Sequence, residues 1–198
     1  MHIQTDRALV PANAPSLRYL QVLIGALAVA ARDVVFEVAC DPGIEAMVVN
    51  GLPTSQAEGR LQVQVGDLAA EQEITLIIAV AFKGSHQEGS GLGVQCRVVD
   101  RERVLHPEPI AVTWRAVTAV ENNAQPVNHA VRLALATLLA DRARVMARDA
   151  SRRDDFDEAR RILRVVVDDL RALAPGDKDV LAVIDRLHHD ELELGEGR

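Results

Sequence analysis

The stretch LQVQVGDLAAEQEITLIIAVAF, Leu61 to Phe82, decides how the rest of the chain is read. Leu61, Val63 and Val65 alternate with Arg60, Gln62 and Gln64. Ile74, Leu76, Ile78, Val80 and Phe82 alternate with Thr75, Ile77, Ala79 and Ala81. A period of two is the mark of a strand, with one face inside and the other wet. The second run is apolar on both faces, which places it centrally in a sheet. Between the runs lie Gly66-Asp67, Glu71 and Glu73, acids that could floor a catalytic site. The alternation stays intact on both sides, so Gly66-Asp67 is expected to be a connection between strands, its acids facing water.

The same period recurs on either side. Val34, Phe36, Val38 and Cys40 share a face and lead into Asp41-Pro42-Gly43, which is turn chemistry. A short strand from Ile44 to Val49 ends at Asn50-Gly51, a strong turn pair. KGSHQEGSG, Lys83 to Gly91, reads as a flexible hairpin loop. Leu92, Val94, Cys96 and Val98 then alternate with Gln95 and Arg97, and Ile110, Val112 and Trp114 follow HPEP. About six strands at short, turn-punctuated spacing predict an antiparallel β-sandwich that, with a short helix in front, fills residues 17–120.

Past Glu121 the period becomes helical. Val127, Val131, Leu135, Leu138, Val145 and Met146 mark one helix, entered through Pro126. SRRDD interrupts it, with Ser151 or Asp154 as the next cap. Phe156, Ala159, Leu163, Val166, Leu170 and Leu173 then step by three and four, a heptad-like seam closed by Pro175-Gly176. Val180, Ile184 and Leu187 mark a last helix. Residues 121–192 are expected to form a helical hairpin or three-helix bundle, and residues 193–198 a disordered tail.

Upstream, residues 1–16 carry little periodicity and read as an arm or linker. Ser16 is a plausible N-cap for a helix from Leu17 to Ala31. Leu17, Leu20, Val22, Leu23, Ile24, Leu27 and Val29 would go right round it, and such a helix is normally buried on all sides. Left partly uncovered, it predicts a homo-oligomer with Leu20, Leu23, Ile24 and Leu27 among the contacts. Its apolar run is too short to span a bilayer, which needs about 20 residues. A secretory signal is the alternative. The run flows directly into RDVVFEV, however, so a cytoplasmic location is expected.

Composition narrows the function classes. The 198 residues carry 22 Lys+Arg against 29 Asp+Glu, a net charge of −7, which offers no general footprint for nucleic acid. Arginines concentrate between Arg142 and Arg164, but they alternate with Asp141, Asp149, Asp154, Asp155, Asp157 and Glu158, as on a solvated helical face. Cys40 and Cys96, in no CxxC pattern, are expected to be inert core thiols. No phosphate loop, nucleophile elbow or HExxH is present. GSGLG leads into a strand, not a helix, and His188 to Glu191 read as surface residues near a fraying end. No catalytic residue, metal ligand or cofactor is therefore nominated.

Two stretches carry a resemblance. LAVAARDVVFEVACDPGIEAMVVNG followed by LQVQVGDLAAEQEITLIIAVAF resembles the region downstream of a von Willebrand factor type A (VWA) domain in bacterial VWA-containing proteins. NNAQPVNHAVRLALATLLADRARVMARDASRRDDFDEARRIL resembles the helical hairpin that follows there. Asp155-Phe156 with Ala159 matches the motif opening its second helix, and Asp154 replaces the usual Gly. The family's metal site uses Asp-x-Ser-x-Ser, which this sequence lacks, so no metal ligand is carried over. The resemblance implies a non-enzymatic scaffold for protein contact, with a VWA domain in cis or in trans as its partner. The alternatives are a stand-alone binding module using the arginine-rich hairpin, or an enzyme with a site at the sandwich–bundle junction.

Overall fold

The computed structural model describes residues 1–25, 30–57, 59–105 and 108–196. They divide into two compact units, Met1–Val131 and Arg132–Arg198. The first contains ten strands: β1 (His2–Thr5), β2 (Leu9–Pro11), β3 (Ser16–Gly25), β4 (Ala31–Cys40), β5 (Ile44–Val48), β6 (Thr54–Ala57), β7 (Arg60–Leu68), β8 (Glu73–Phe82), β9 (Gly91–Val99) and β10 (Ile110–Val117). A short helix α1 (Ala119–Ala124) follows. The strands make a four-stranded sheet, β1-β3-β8-β5, and a six-stranded sheet, β2-β10-β9-β4-β7-β6.

The two sheets share one core. Leu20, Val22, Ile24, Leu76, Ile78, Val80 and Phe82 come from the narrow sheet. Val34, Phe36, Val38, Leu61, Val63, Val94, Cys96 and Trp114 come from the wide one. With five aromatic residues in the chain, this layer is filled almost entirely by branched aliphatics. The expected β-sandwich followed by helices is the architecture observed, and all six predicted strands are present as β4, β5, β7, β8, β9 and β10.

The predicted helix over 17–31 is instead strand β3. It pairs with β8 along its whole length, from Ser16↔Phe82 to Gly25↔Glu73, and exposure alternates along it. Central β8 is apolar on both faces, and its backbone needs a neighbour on each side. β3 satisfies one side and β5 the other. Leu20 and Ile24 are 0% and 1% exposed and sit inside the sandwich, so neither can be an intermolecular contact. Leu23 points to the opposite face and is half-buried, and Leu27 lies outside the described residues. The all-round apolar helix is absent, and with it that ground for a homo-oligomer.

Residues 1–16 are not an arm. β1 pairs antiparallel with β3 in the narrow sheet, and β2 pairs parallel with β10 in the wide one. The first eleven residues therefore bridge both sheets. Arg18, the one charged residue on the inward face of β3, reaches out of the core to the Leu9 carbonyl (2.7 and 2.9 Å) and to Asn122 Oδ1 (2.5 Å). Gln125 holds the same strand, accepting from Leu9 N at 2.7 Å and donating to Leu9 O at 3.1 Å. α1 is fixed by a capping box between Thr118 and Glu121. Lys83–Gly91 is not a hairpin loop, since it joins β8 and β9, which lie in different sheets.

The second unit is built from α2 (His129–Ser151), α3 (Phe156–Leu173) and α4 (Lys178–Glu196). Ala159, Leu163, Val167 and Leu170 of α3 pack with Val180, Ile184 and Leu187 of α4; Val167 takes the buried place expected for Val166, which like Phe156 and Leu173 is half-buried. On α2 Val131 and Leu135 are buried as predicted, but further along the helix the inward face differs from the predicted one. Ala136, Ala140, Ala143, Ala147 and Ala150 form it, while Val145 and Met146 are 56% and 52% exposed. Asp155, not Ser151 or Asp154, caps α3, its carboxylate accepting from Glu158 N at 3.1 Å. α4 continues as helix to Glu196, into the stretch expected to be a tail. No described helix is long and apolar enough to cross a membrane.

Candidate functional site on the wide sheet

The strand period that sends Phe36 and Val38 inward sends Val35, Glu37 and Ala39 to the outer face of the wide sheet. β4 is central there, between β9 and β7. Register places Arg97 directly opposite Glu37 on one side and Gln62 opposite it on the other. Arg60 lies opposite Ala39, one step diagonally from Glu37. Three side chains from the two flanking strands therefore converge on a single carboxylate.

Arg97 Nε donates to Glu37 Oε2 in a short ion pair. Arg60 approaches the same oxygen at 3.6 Å, and Gln62 Nε2 donates to Oε1 at 2.9 Å. Glu37 is only 6% exposed, whereas Arg97 and Arg60 keep 42% and 37% of their side chains in solvent. Burial pushes the Glu37 carboxyl up. The hydrogen bonds from Arg97 and Gln62 and the charges of Arg97 and Arg60 outweigh that, holding it below its ordinary value. Beside it opens a cavity of about 240 Å³, walled by Glu37, Ala39, Arg60, Gln95, Arg97 and Pro109.

This arrangement is chemically suited to pairing with charge. Glu37 has no proton to give near neutral pH, and the guanidiniums present fixed, directional donors. The sequence carries a faint signal of it, a lone acid in the apolar run VVFEVAC and a lone arginine in VQCRVV. Joining the two needs the strand register, which periodicity alone does not provide.

The residues singled out from sequence fall elsewhere. Gly66-Asp67 is not the connection itself but the end of β7, and the turn lies at Ala70-Glu71. Gly66 (φ +87°) and Asp33 (φ +51°) sit at an irregularity in the β4–β7 ladder, where Asp67 Oδ1 accepts from Asp33 N at 2.9 Å. Asp67, Glu71 and Glu73 are exposed, as expected. Cys96 is fully buried and its thiol is pushed up to about 12 by burial; Cys40 is half-buried and also raised, by burial and by Asp41 and Glu45. Neither is set up as a nucleophile.

In the helical unit most of the arginine-rich face is engaged by the chain's own acids. Arg144 binds Asp190 and Asp141, Arg152 binds Asp149, Arg160 binds Asp157, and Arg161 binds Glu158. Arg164 and His188 both meet Glu191, which ties α3 to α4. The His188–Glu191 stretch thus serves helix packing.

No family model and no curated protein sequence matches the chain. Solved structures similar to it include a von Willebrand factor type A protein from Catenulispora acidiphila, at 12% identity and a TM-score of 0.46, covering 80% of this chain and 38% of that one. The major pilin subunit of Bacillus cereus is similar at 13% identity and a TM-score of 0.40, covering 58% and 40%. The self-complemented major subunit of Myf fimbriae from Yersinia enterocolitica is similar at 8% identity and a TM-score of 0.35, covering 60% and 99%. The chain spans less than half the length of the VWA and Bacillus pilin chains that it matches.

Proposed function

We propose that this chain is a non-enzymatic scaffold that mediates protein–protein contact in association with a VWA domain, supplied in cis or in trans. The observation that carries the reading is the Glu37 cluster. A buried carboxylate held ionised between two half-exposed guanidiniums suits recognition and is poorly suited to proton transfer. The link to a VWA domain comes from the ordered sequence resemblance; two of its motifs keep their expected local roles, whereas the helix expected before Arg32 is strand β3 and Gly66-Asp67 ends β7. Asn50 closes the turn after β5 by accepting from Ile77 N and donating to the Thr75 carbonyl, and Asp155 caps the helix that Phe156 opens. The arginine-rich hairpin is the weaker candidate for a docking surface, since so many of its guanidiniums are already paired.

The test is biolayer interferometry between the full chain and a recombinant VWA domain from the same genome. Saturable binding, with a dissociation constant in the micromolar range expected for interfaces of modest size, supports the scaffold. Absence of binding at about 100 μM, roughly 5.5 kcal/mol, removes it.

A further inference from the structure

The scaffold reading leaves open what the exposed guanidiniums of the wide sheet recognise. Two positive groups meet one carboxylate, so the cluster keeps one uncompensated positive charge in a chain whose net charge is −7. Screening confines that charge to a range of about 8 Å at physiological salt, so it acts on whatever enters the cavity, not on distant solute. Arg97 engages Glu37 through Nε and Arg60 through one Nη. Their other N–H donors have no acceptor among the described residues. Exposed donors of this kind, in a fixed planar fork, match a second carboxylate.

Size limits the occupant. The cavity holds about 240 Å³, below the roughly 300–1,000 Å³ of ordinary small-molecule sites. It can admit one side chain but offers little to bury a whole ligand. Its surroundings are a broad strand face whose exposed Gln95 can hydrogen-bond to a neighbouring backbone. We propose that the cavity takes a glutamate or aspartate side chain from an acidic segment of a partner polypeptide, with Arg60 and Arg97 closing on its carboxylate and Glu37 beneath them. This rests on the protein-contact reading above and specifies its chemistry. Glu37 then has a second role. It holds the two like charges together in the free protein and competes with the incoming carboxylate for their donors.

The experiment is fluorescence anisotropy with the full chain and a fluorescein-labelled Gly/Ser decapeptide carrying two glutamates, compared with the same peptide carrying two glutamines. The glutamate peptide is expected to bind about tenfold more tightly, and Arg60→Gln and Arg97→Gln each to weaken it about tenfold. Glu37→Gln, shown folded by circular dichroism, is expected to strengthen it severalfold, because it frees both guanidiniums. Equal binding of the two peptides overturns the proposal. So does unchanged binding by Arg60→Gln, shown folded by circular dichroism. Free glutarate competing as well as the peptide would place a small carboxylate in the cavity and overturn the polypeptide source. Selective peptide binding without any VWA binding removes the scaffold reading alone. VWA binding that Arg60→Gln leaves unaltered, with no peptide selectivity, removes this inference alone.

Discussion

Phe82 and Trp114 meet edge to face between the two sheets, ring centroids 5.2 Å apart and planes inclined at 74°. Each is at most 1% exposed, and the Trp114 indole N–H donates to the Arg7 carbonyl at 2.9 Å. The pair thus joins β8 of the narrow sheet, β10 of the wide sheet and the segment between β1 and β2. Phe82→Ala should cost about 3–5 kcal/mol by opening a cavity in the core and removing the ring contacts with Trp114 and His86. Trp114→Phe should cost less, about 1–3 kcal/mol, from the lost indole hydrogen bond and the space left by the smaller ring, since the Arg7 carbonyl keeps Thr5 Oγ1 as a donor. Urea unfolding of the two variants checks the order. The reverse ranking would show that the N-terminal anchor matters more than the ring contact.

The inward face of α2 makes the opposite demand. Ala143, 1% exposed, has no space for a larger side chain, so Ala143→Leu should destabilise the helical unit by about 1–3 kcal/mol. Met146→Ala, on the exposed side, should stay within about 0.5 kcal/mol. Thermal melts of both would expose a misassigned face, because the two effects would then exchange places.

Glu37 ties stability to pH. Its carboxyl is held below the ordinary value of 4.5 in the folded chain. The folded state therefore binds that proton less readily than the unfolded state. The stabilisation is fully present above the unfolded-state value and is lost as pH falls through the lower folded-state value. Glu37→Gln should flatten the acid limb of the stability profile below about pH 4.5, the ordinary value. Parallel profiles for parent and variant over that window would mean the carboxyl is not held down.

Thiol reactivity reports on the core. Cys96, fully buried with its thiol pushed up to about 12, should resist Ellman's reagent at pH 8 in the native chain. Half-buried Cys40 should react first, and both should react in denaturant. Prompt reaction of two thiols in the native chain would show that β9 opens readily.

The carboxylate of Asp67 serves the backbone of Asp33. Asp67→Asn keeps an acceptor oxygen and should change stability by no more than about 0.5 kcal/mol. Asp67→Ala leaves the Asp33 N–H without that acceptor and should cost about 0.5–1.5 kcal/mol. Chemical denaturation of the pair distinguishes an acceptor role from a purely solvated surface acid, for which both changes would be silent.

The strands with clean alternation were legible because each buries one face or lies centrally. β3 was not, since an apolar run such as LQVLIGALAVAA satisfies helix and strand periods about equally. What selects the strand is a long-range fact, the empty edge of β8. β1 and β2, four and three residues long, are too short to show any period. The Lys83–Gly91 loop has the composition of a hairpin loop, and only the sheet assignment reveals a crossing between layers. On α2 the stepping of Ala136, Ala140, Ala143, Ala147 and Ala150 by three and four was visible. Alanine carries so little apolar weight that Val145 and Met146 dominated the reading. Glu37 and Arg97 lie sixty residues apart, and nothing local indicates that they face each other.

Because β2 runs parallel to β10, the N-terminal end of one strand lies alongside the N-terminal end of the other. A tension reaching β2 from upstream and leaving through the C-terminal end of β10 pulls the two strands apart along their own axes. The hydrogen bonds from Leu9↔Arg115 to Pro11↔Val117 then share the load in shear, rather than parting one by one as a peeled hairpin does. Arg18 and Gln125, both gripping the Leu9 carbonyl from outside the ladder, resist the same slip. The first eleven residues are thus held to β10 in a geometry that loads their hydrogen bonds together.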